Sequence, residues 1–103
     1  LIEKFPNSKY SEEAREKLFI FKNTIAKHEF YIALYYTNNG SHIAAINRSK
    51  YIIENFPNSS SVADSLHLMA YNYDAIHAEK LATDARTVLV SSFPSYSPNY
   101  TID

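Results

Sequence analysis

The chain has 103 residues, enough for one domain, and 46% hydrophobic content with a single glycine places it among folded, helix-rich proteins rather than disordered ones. Ten Lys and Arg against eleven Asp and Glu leave no bulk field that would draw nucleic acid or an anionic membrane. The lack of cysteine excludes disulfides, thiolate zinc sites and cysteine nucleophiles together, and no apolar run approaches the roughly 18 residues of a membrane span.

Residues 1–8, LIEKFPNS, follow the same aliphatic, charged, aromatic-Pro-Asn-Ser order as YIIENFPNS at 51–59, so 1–6 reads as the end of a preceding repeat. The chain starts at Leu1, without Met and in mid-pattern, and reads as a piece of something longer. Proline cannot continue a helix interior and pushes the residue before it out of the α region, so Phe5 and Phe56 are expected to close their helices and tuck under them. Ser8 or Ser11 then caps the next helix, with Glu12 and Glu13 in its first turn.

From Tyr10 to about Asn38 there is no Gly or Pro, and Leu18, Phe21, Ile25, His28, Ile32 and Tyr35 step by three and four along one face. This predicts one long helix buried on that stripe; the alternative is two short helices broken near Asn23-Thr24. Asn38-Asn39-Gly40 predicts a corner with a left-handed residue, and Ser41 caps a helix to about Asn55 whose inward stripe is Ala45, Ile46, Ser49, Ile52 and Ile53. Ser59 to Ser61 cap a third helix, inward at Val62, Leu66, Met69, Ala70 and Tyr73 and ending near Ile76. A fourth runs from about Ala78 to Ser92 through Leu81, Ala82, Ala85, Leu89 and Val90, after which FPSYSPNYTID at 93–103 has no period and predicts an irregular tail.

An internal repeat joins these elements. A shift of 37 residues matches Ile32 with Met69, Ala33 with Ala70, Tyr36 with Tyr73, Ala45 with Ala82, Phe56 with Phe93 and Pro57 with Pro94. Both copies carry the small residue, the Tyr three later, the Ala and the closing Pro of the tetratricopeptide pattern, while its Trp and second Phe positions are unfilled. Pro6 to Pro57 is 51 residues, 14 more than Pro57 to Pro94, an insertion of about four helical turns that lengthens the first helix. The predicted fold is all-α, an α-solenoid of tetratricopeptide-like helix pairs with one unusually long helix. The single fragment 1–103 divides into a repeat at 8–57, a final repeat at 59–92 and the tail. The Gly40 corner becomes His77 in the second copy, which leaves that turn's geometry open.

Catalysis requires convergent polar groups, and the four histidines at 28, 42, 67 and 77 make neither an i, i+4 zinc pair nor HExxH. Asp74 and His77 are two ligands at most, and two do not make a site. His28, on the apolar stripe, reads as a core or groove histidine, and His67 as facing a neighbouring helix or solvent. The serines at helix starts are caps, and a lone glycine rules out a phosphate-cradling loop. Tyr36 and Tyr73 fall on repeat positions and read as core, while Tyr31, Tyr35, Tyr51 and Tyr71 read as partly exposed, either as rim packing or as interface anchors. Asn47 and Arg48 follow, because the inward stripe of their helix turns Arg48 away from the core. Ile52 and Ala44 stand at plus and minus four, so no acid of its own helix holds the guanidinium. Asn47, Arg48 and Tyr51 are the candidate partner-binding residues, with a solvated arginine as the plainer reading.

Beyond the generic repeat, several segments resemble the BamD family of outer-membrane lipoproteins: FPNSKYSEEAREKL at 5–18, A-K-x-E-aromatic at 26–30, A-x-Y-Y at 33–36, A-A-I-N-R at 44–48 and F-P-N-S at 56–59. The resemblance extends more weakly through LMAYNYDAI and AEKLA to about residue 90. It implies the C-terminal half of a periplasmic scaffold with no catalytic residue, cofactor or metal. In that family a signal peptide, a lipid-bearing Cys and earlier repeats precede this part, and the lipid anchor is the only tie to the membrane. The C-terminal repeats there hold the POTRA region of a barrel-forming partner, alongside other assembly lipoproteins. On that reading Arg48 contacts a carboxylate or carbonyl of the POTRA region, with Tyr51 adjoining. The rival is a cytosolic tetratricopeptide adaptor gripping a peptide C-terminal carboxylate, for which Lys27, Asn38 and Asn72 are the available groups.

Overall fold

Ser11 opens the first helix by accepting a hydrogen bond from the Ala14 N–H at 3.1 Å, the capping geometry its position predicts. The computed structural model describes residues 11–103; Phe5 and Ser8, and the repeat end assigned to 1–6, lie outside them. Four helices follow: α1 Glu12–Asn38, α2 His42–Asn55, α3 Val62–Ala75 and α4 Glu79–Ser92. The all-helical, tetratricopeptide-like class is as expected, with consecutive helices packed and α1 also touching α3. The 27-residue α1 is unbroken. At the suspected break the Thr24 hydroxyl donates back to the Ile20 carbonyl at 2.9 Å, and the Asn23 side chain reaches out to accept from the Ser60 N–H at 2.8 Å.

The buried face of α1 differs from the expected stripe. Ala26, Phe30, Ala33 and Thr37 are buried, whereas Leu18, Phe21 and Tyr35 are 40, 62 and 63% exposed and His28 is exposed. Apolar residues surround this helix, so two stripes compete. The one with two alanines wins because α2 and α3 can approach a small-residue face closely. His28 is therefore a surface histidine and not a core one. On α2 the expected residues Ala45, Ile46, Ser49 and Ile52 are buried. The α3 helix packs on α1, α2 and α4 together, which buries Ala63, Ser65, Leu68 and Asn72 in addition to the expected Val62, Leu66, Ala70 and Tyr73. Among the helices α4 packs only on α3, so it buries the narrow stripe Ala82, Ala85 and Leu89 and leaves Leu81 and Val90 in solvent.

The two corners share one geometry. After α1, Gly40 has φ 81°, its N–H reaching Thr37 O at 3.2 Å and that of Ser41 reaching Tyr36 O at 2.8 Å. After α3, His77 has φ 64°, with the same pair of bonds to Asp74 O at 3.0 Å and, from Ala78, to Tyr73 O at 2.8 Å. Both are left-handed Schellman closures, and the second is made without glycine. A Cβ at Gly40 would meet nothing within 4 Å, so the cost of a side chain there is wholly backbone. Gly40→Val should cost more than about 1 kcal/mol, and His77→Gly should stabilise by up to about 1 kcal/mol. Urea unfolding of both variants checks this, and opposite signs are the expected result. Ala33 and Ala70, matched positions of the two copies, are fully or nearly fully buried. Their replacement by Leu should cost roughly 1–3 kcal/mol each by overpacking, read from thermal melts.

Candidate partner-binding site

With Ala45, Ile46, Ser49 and Ile52 facing inward, helical geometry turns Ala44, Asn47, Arg48 and Tyr51 to the other side of α2. There, together with Tyr36 of α1, they line a concavity of about 350 Å³. The three sequence-predicted residues thus share one surface feature. Asn47 is exposed. Tyr51 is 45% exposed and leans edge-on against Phe56, ring centroids 6.0 Å apart.

Arg48 is not the unheld arginine its helix implied. Its Nη1 donates to Glu29 Oε1 of α1 at 2.6 Å, and the Glu29 side chain is only 17% exposed against 36% for Arg48. The Glu29 hydrogen bond, outweighing burial, with a smaller contribution from Tyr36, holds the guanidinium still more firmly charged than usual. Arg48 is therefore structural on one side. A guanidinium carries five N–H donors in a fixed fork, and an ion pair that fixes its plane presents the others in a set direction. Glu29, Tyr36 and Ala44 were missed as site residues. Glu29 and Tyr36 belong to α1, so no spacing within α2 signals them.

The remaining polar candidates serve the fold. His42 Nδ1 is 2.7 Å from the Asn72 amide oxygen, and Asp74 is engaged by Arg86. Of the groups available to a carboxylate clamp, Asn72 is fully buried, and Asn38 accepts the Asp103 N–H at 2.8 Å. Among the described residues, no three His, Cys, Asp or Glu gather as metal ligands, and no helix is long and apolar enough to cross a membrane. What the concavity offers is a positioned cation, Arg48, beside the rings of Tyr36 and Tyr51.

Comparison with known proteins fits this. The profile of the outer membrane lipoprotein family YfiO matches residues 1–89. The outer membrane protein assembly factor BamD of Neisseria gonorrhoeae is 36% identical over 94 residues, 91% of this chain and 35% of that protein. BamD of Xylella fastidiosa (strain 9a5c) is 27% identical over 96 residues, 93% of this chain and 33% of its own length. BamD of Vibrio cholerae is 30% identical over 76 residues, 74% of this chain and 32% of its own. The chain thus spans about a third of the length of these relatives. With a family profile matched over most of its length, and with the helix pairs that profile's residues form, the chain belongs to the YfiO family of outer membrane lipoproteins.

Proposed function

We propose that this chain is a non-catalytic scaffold segment that serves outer-membrane protein assembly from the periplasmic face, with any lipid anchor outside these residues. It comprises a long-helixed repeat at 8–57 and a final repeat at 59–92. Its binding partner on this reading is the POTRA region of the barrel-forming component, met at Asn47, Arg48 and Tyr51. The observation that carries the proposal is the gathering of these residues in one concavity, on a member of the family that includes the BamD assembly factors.

Because Glu29 holds Arg48, a single charge reversal confuses structure with binding. Arg48→Glu is expected to weaken association with the isolated POTRA region by about 2 kcal/mol, measured by titration calorimetry. The exchange Glu29→Arg with Arg48→Glu restores the internal ion pair while leaving the wrong charge toward the partner. It should keep helicity by circular dichroism and stay weak in binding. If the exchanged form binds as the parent does, the arginine acts only within the fold and the concavity is not the interface.

A further inference from the structure

Phe93–Asp103 forms no helix or strand, yet it is laid down along the seam where α1 and α3 meet. Tyr96 Oη donates to Asp64 Oδ1 near the start of α3 at 2.6 Å. Further on, the Tyr100 hydroxyl bonds to His67 Nδ1, and its ring stands edge-on to Phe30 of α1, centroids 5.0 Å apart. The Asp103 N–H ends the run on Asn38, the last residue of α1. Tyr96, Tyr100 and Ile102 are the partly buried residues of 93–103. Their immediate neighbours in the chain are exposed, as is Pro98, and the backbone bends at Tyr100. Burial lowers the His67 pKa from its ordinary value, in keeping with the ring's place beneath the tail.

A ligand sits on a helical-repeat surface in a similar way, with side chains against the helices and a backbone N–H tied to a helix end. Two prolines, Pro94 and Pro98, stiffen the segment and reduce what is lost on ordering it. Tyr100 and Ile102 rest on the cluster of Ala26, Phe30, Ala33, Ile52 and Leu68, and beside them a surface concavity of about 270 Å³, lined by residues including Lys27, Phe30, Asp64, Asn99 and Tyr100, separates part of the tail from the helices. The tail also lies beyond residues 1–89, which the family profile matches.

We propose that the α1–α3 seam is a peptide channel filled in cis by residues 95–103, a detachable strap whose Tyr96, Tyr100 and Ile102 define what the channel takes. The strap and the Arg48 concavity are separate surfaces, so either reading can fail alone. In the full chain, Tyr100→Ala should release the strap without loss of helix. A fluorescent nonapeptide of sequence 95–103 should then bind the released variant at least tenfold more tightly than the parent, whose channel is filled. The same peptide with Tyr100→Ala should fail to bind. Equal binding to both chains, or no binding to a helical released variant, would overturn the proposal. Hydrogen exchange on the unmodified chain gives a second test that needs no variant. The Asp103 amide should exchange at least a hundredfold faster than the α3 amides, through an opening that leaves the helices protected. Exchange of tail and α3 through one shared opening would make the tail part of the core and end the proposal.

Discussion

Leu68→Ala is expected to cost about 2–5 kcal/mol in urea unfolding. Leu68 is fully buried in a cluster with Ala26, Phe30, Ala33 and Ile52, closed over by Leu34, Phe56, Tyr100 and Ile102. Residues of α1, α2, α3 and the tail all supply walls, and helices held by three neighbours cannot collapse into a void as a surface helix can. The loss therefore adds a cavity to the transfer free energy of the removed atoms. Leu81 is the control, since it is 50% exposed on the outermost helix; Leu81→Ala should stay within about 0.5 kcal/mol. Equal losses at the two positions would mean that the cluster at Leu68 is not the stabilising centre.

The second large effect is expected at Asn72, which is fully buried. Its Nδ2 donates to the Leu68 carbonyl at 2.8 Å and to Thr37 Oγ1 of α1 at 2.9 Å. Thr37 spends its own proton on the Ala33 carbonyl at 2.9 Å, so toward Asn72 it accepts. The amide oxygen, left to face His42 Nδ1, is an acceptor only, which places that ring's proton on Nδ1. One side chain thus joins α1, the start of α2 and α3. Asn72→Asp replaces the donor with a second acceptor and buries a carboxylate against the Leu68 carbonyl, at a cost of about 3 kcal/mol or more at neutral pH. Burial raises the folded-state pKa of such a carboxyl above its unfolded value. The variant should therefore be least destabilised at low pH and lose stability as pH rises through the folded pKa. Thermal melts of parent and variant across pH 4–8 read the difference. A constant gap would show that the new carboxyl is not held in the dry interior.

The Gly40 corner, the Ser11 cap and the burial of α2 were legible because each rests on local chemistry, whereas Ser41 and Ser61 stand at the predicted N-cap positions without a side-chain cap bond. Gly40 accepts a left-handed φ at no steric cost, Ser11 has an oxygen where the helix has an unpaired N–H, and the α2 stripe is apolar apart from Ser49. His77 shows the limit of that logic. Its residue type argues against the left-handed corner, yet the Ala78 and His77 bonds to α3 impose it. At the candidate site, the outward face of Asn47, Arg48 and Tyr51 followed from the helix period, but Glu29 did not. It belongs to another helix, 19 residues away.

By itself the sequence determined the four helices, the Gly40 turn and the spacing repeat, since these depend on spacings and on residues within a turn of one another. Only the tertiary structure decided which side of α1 is core. On a helix whose apolar residues are spread over more than one face, close approach over Ala26 and Ala33 outweighs the larger surface of Leu18 and Phe21, which are 40 and 62% exposed. It also decided the fate of polar groups that periodicity cannot pair: Arg48 with Glu29, Asn72 with Thr37 and His42, and the tail tyrosines with Asp64 and His67. Such partners come from different elements, and a buried hydrogen bond is set by where two backbones meet in space, a distance that no spacing along one chain segment encodes.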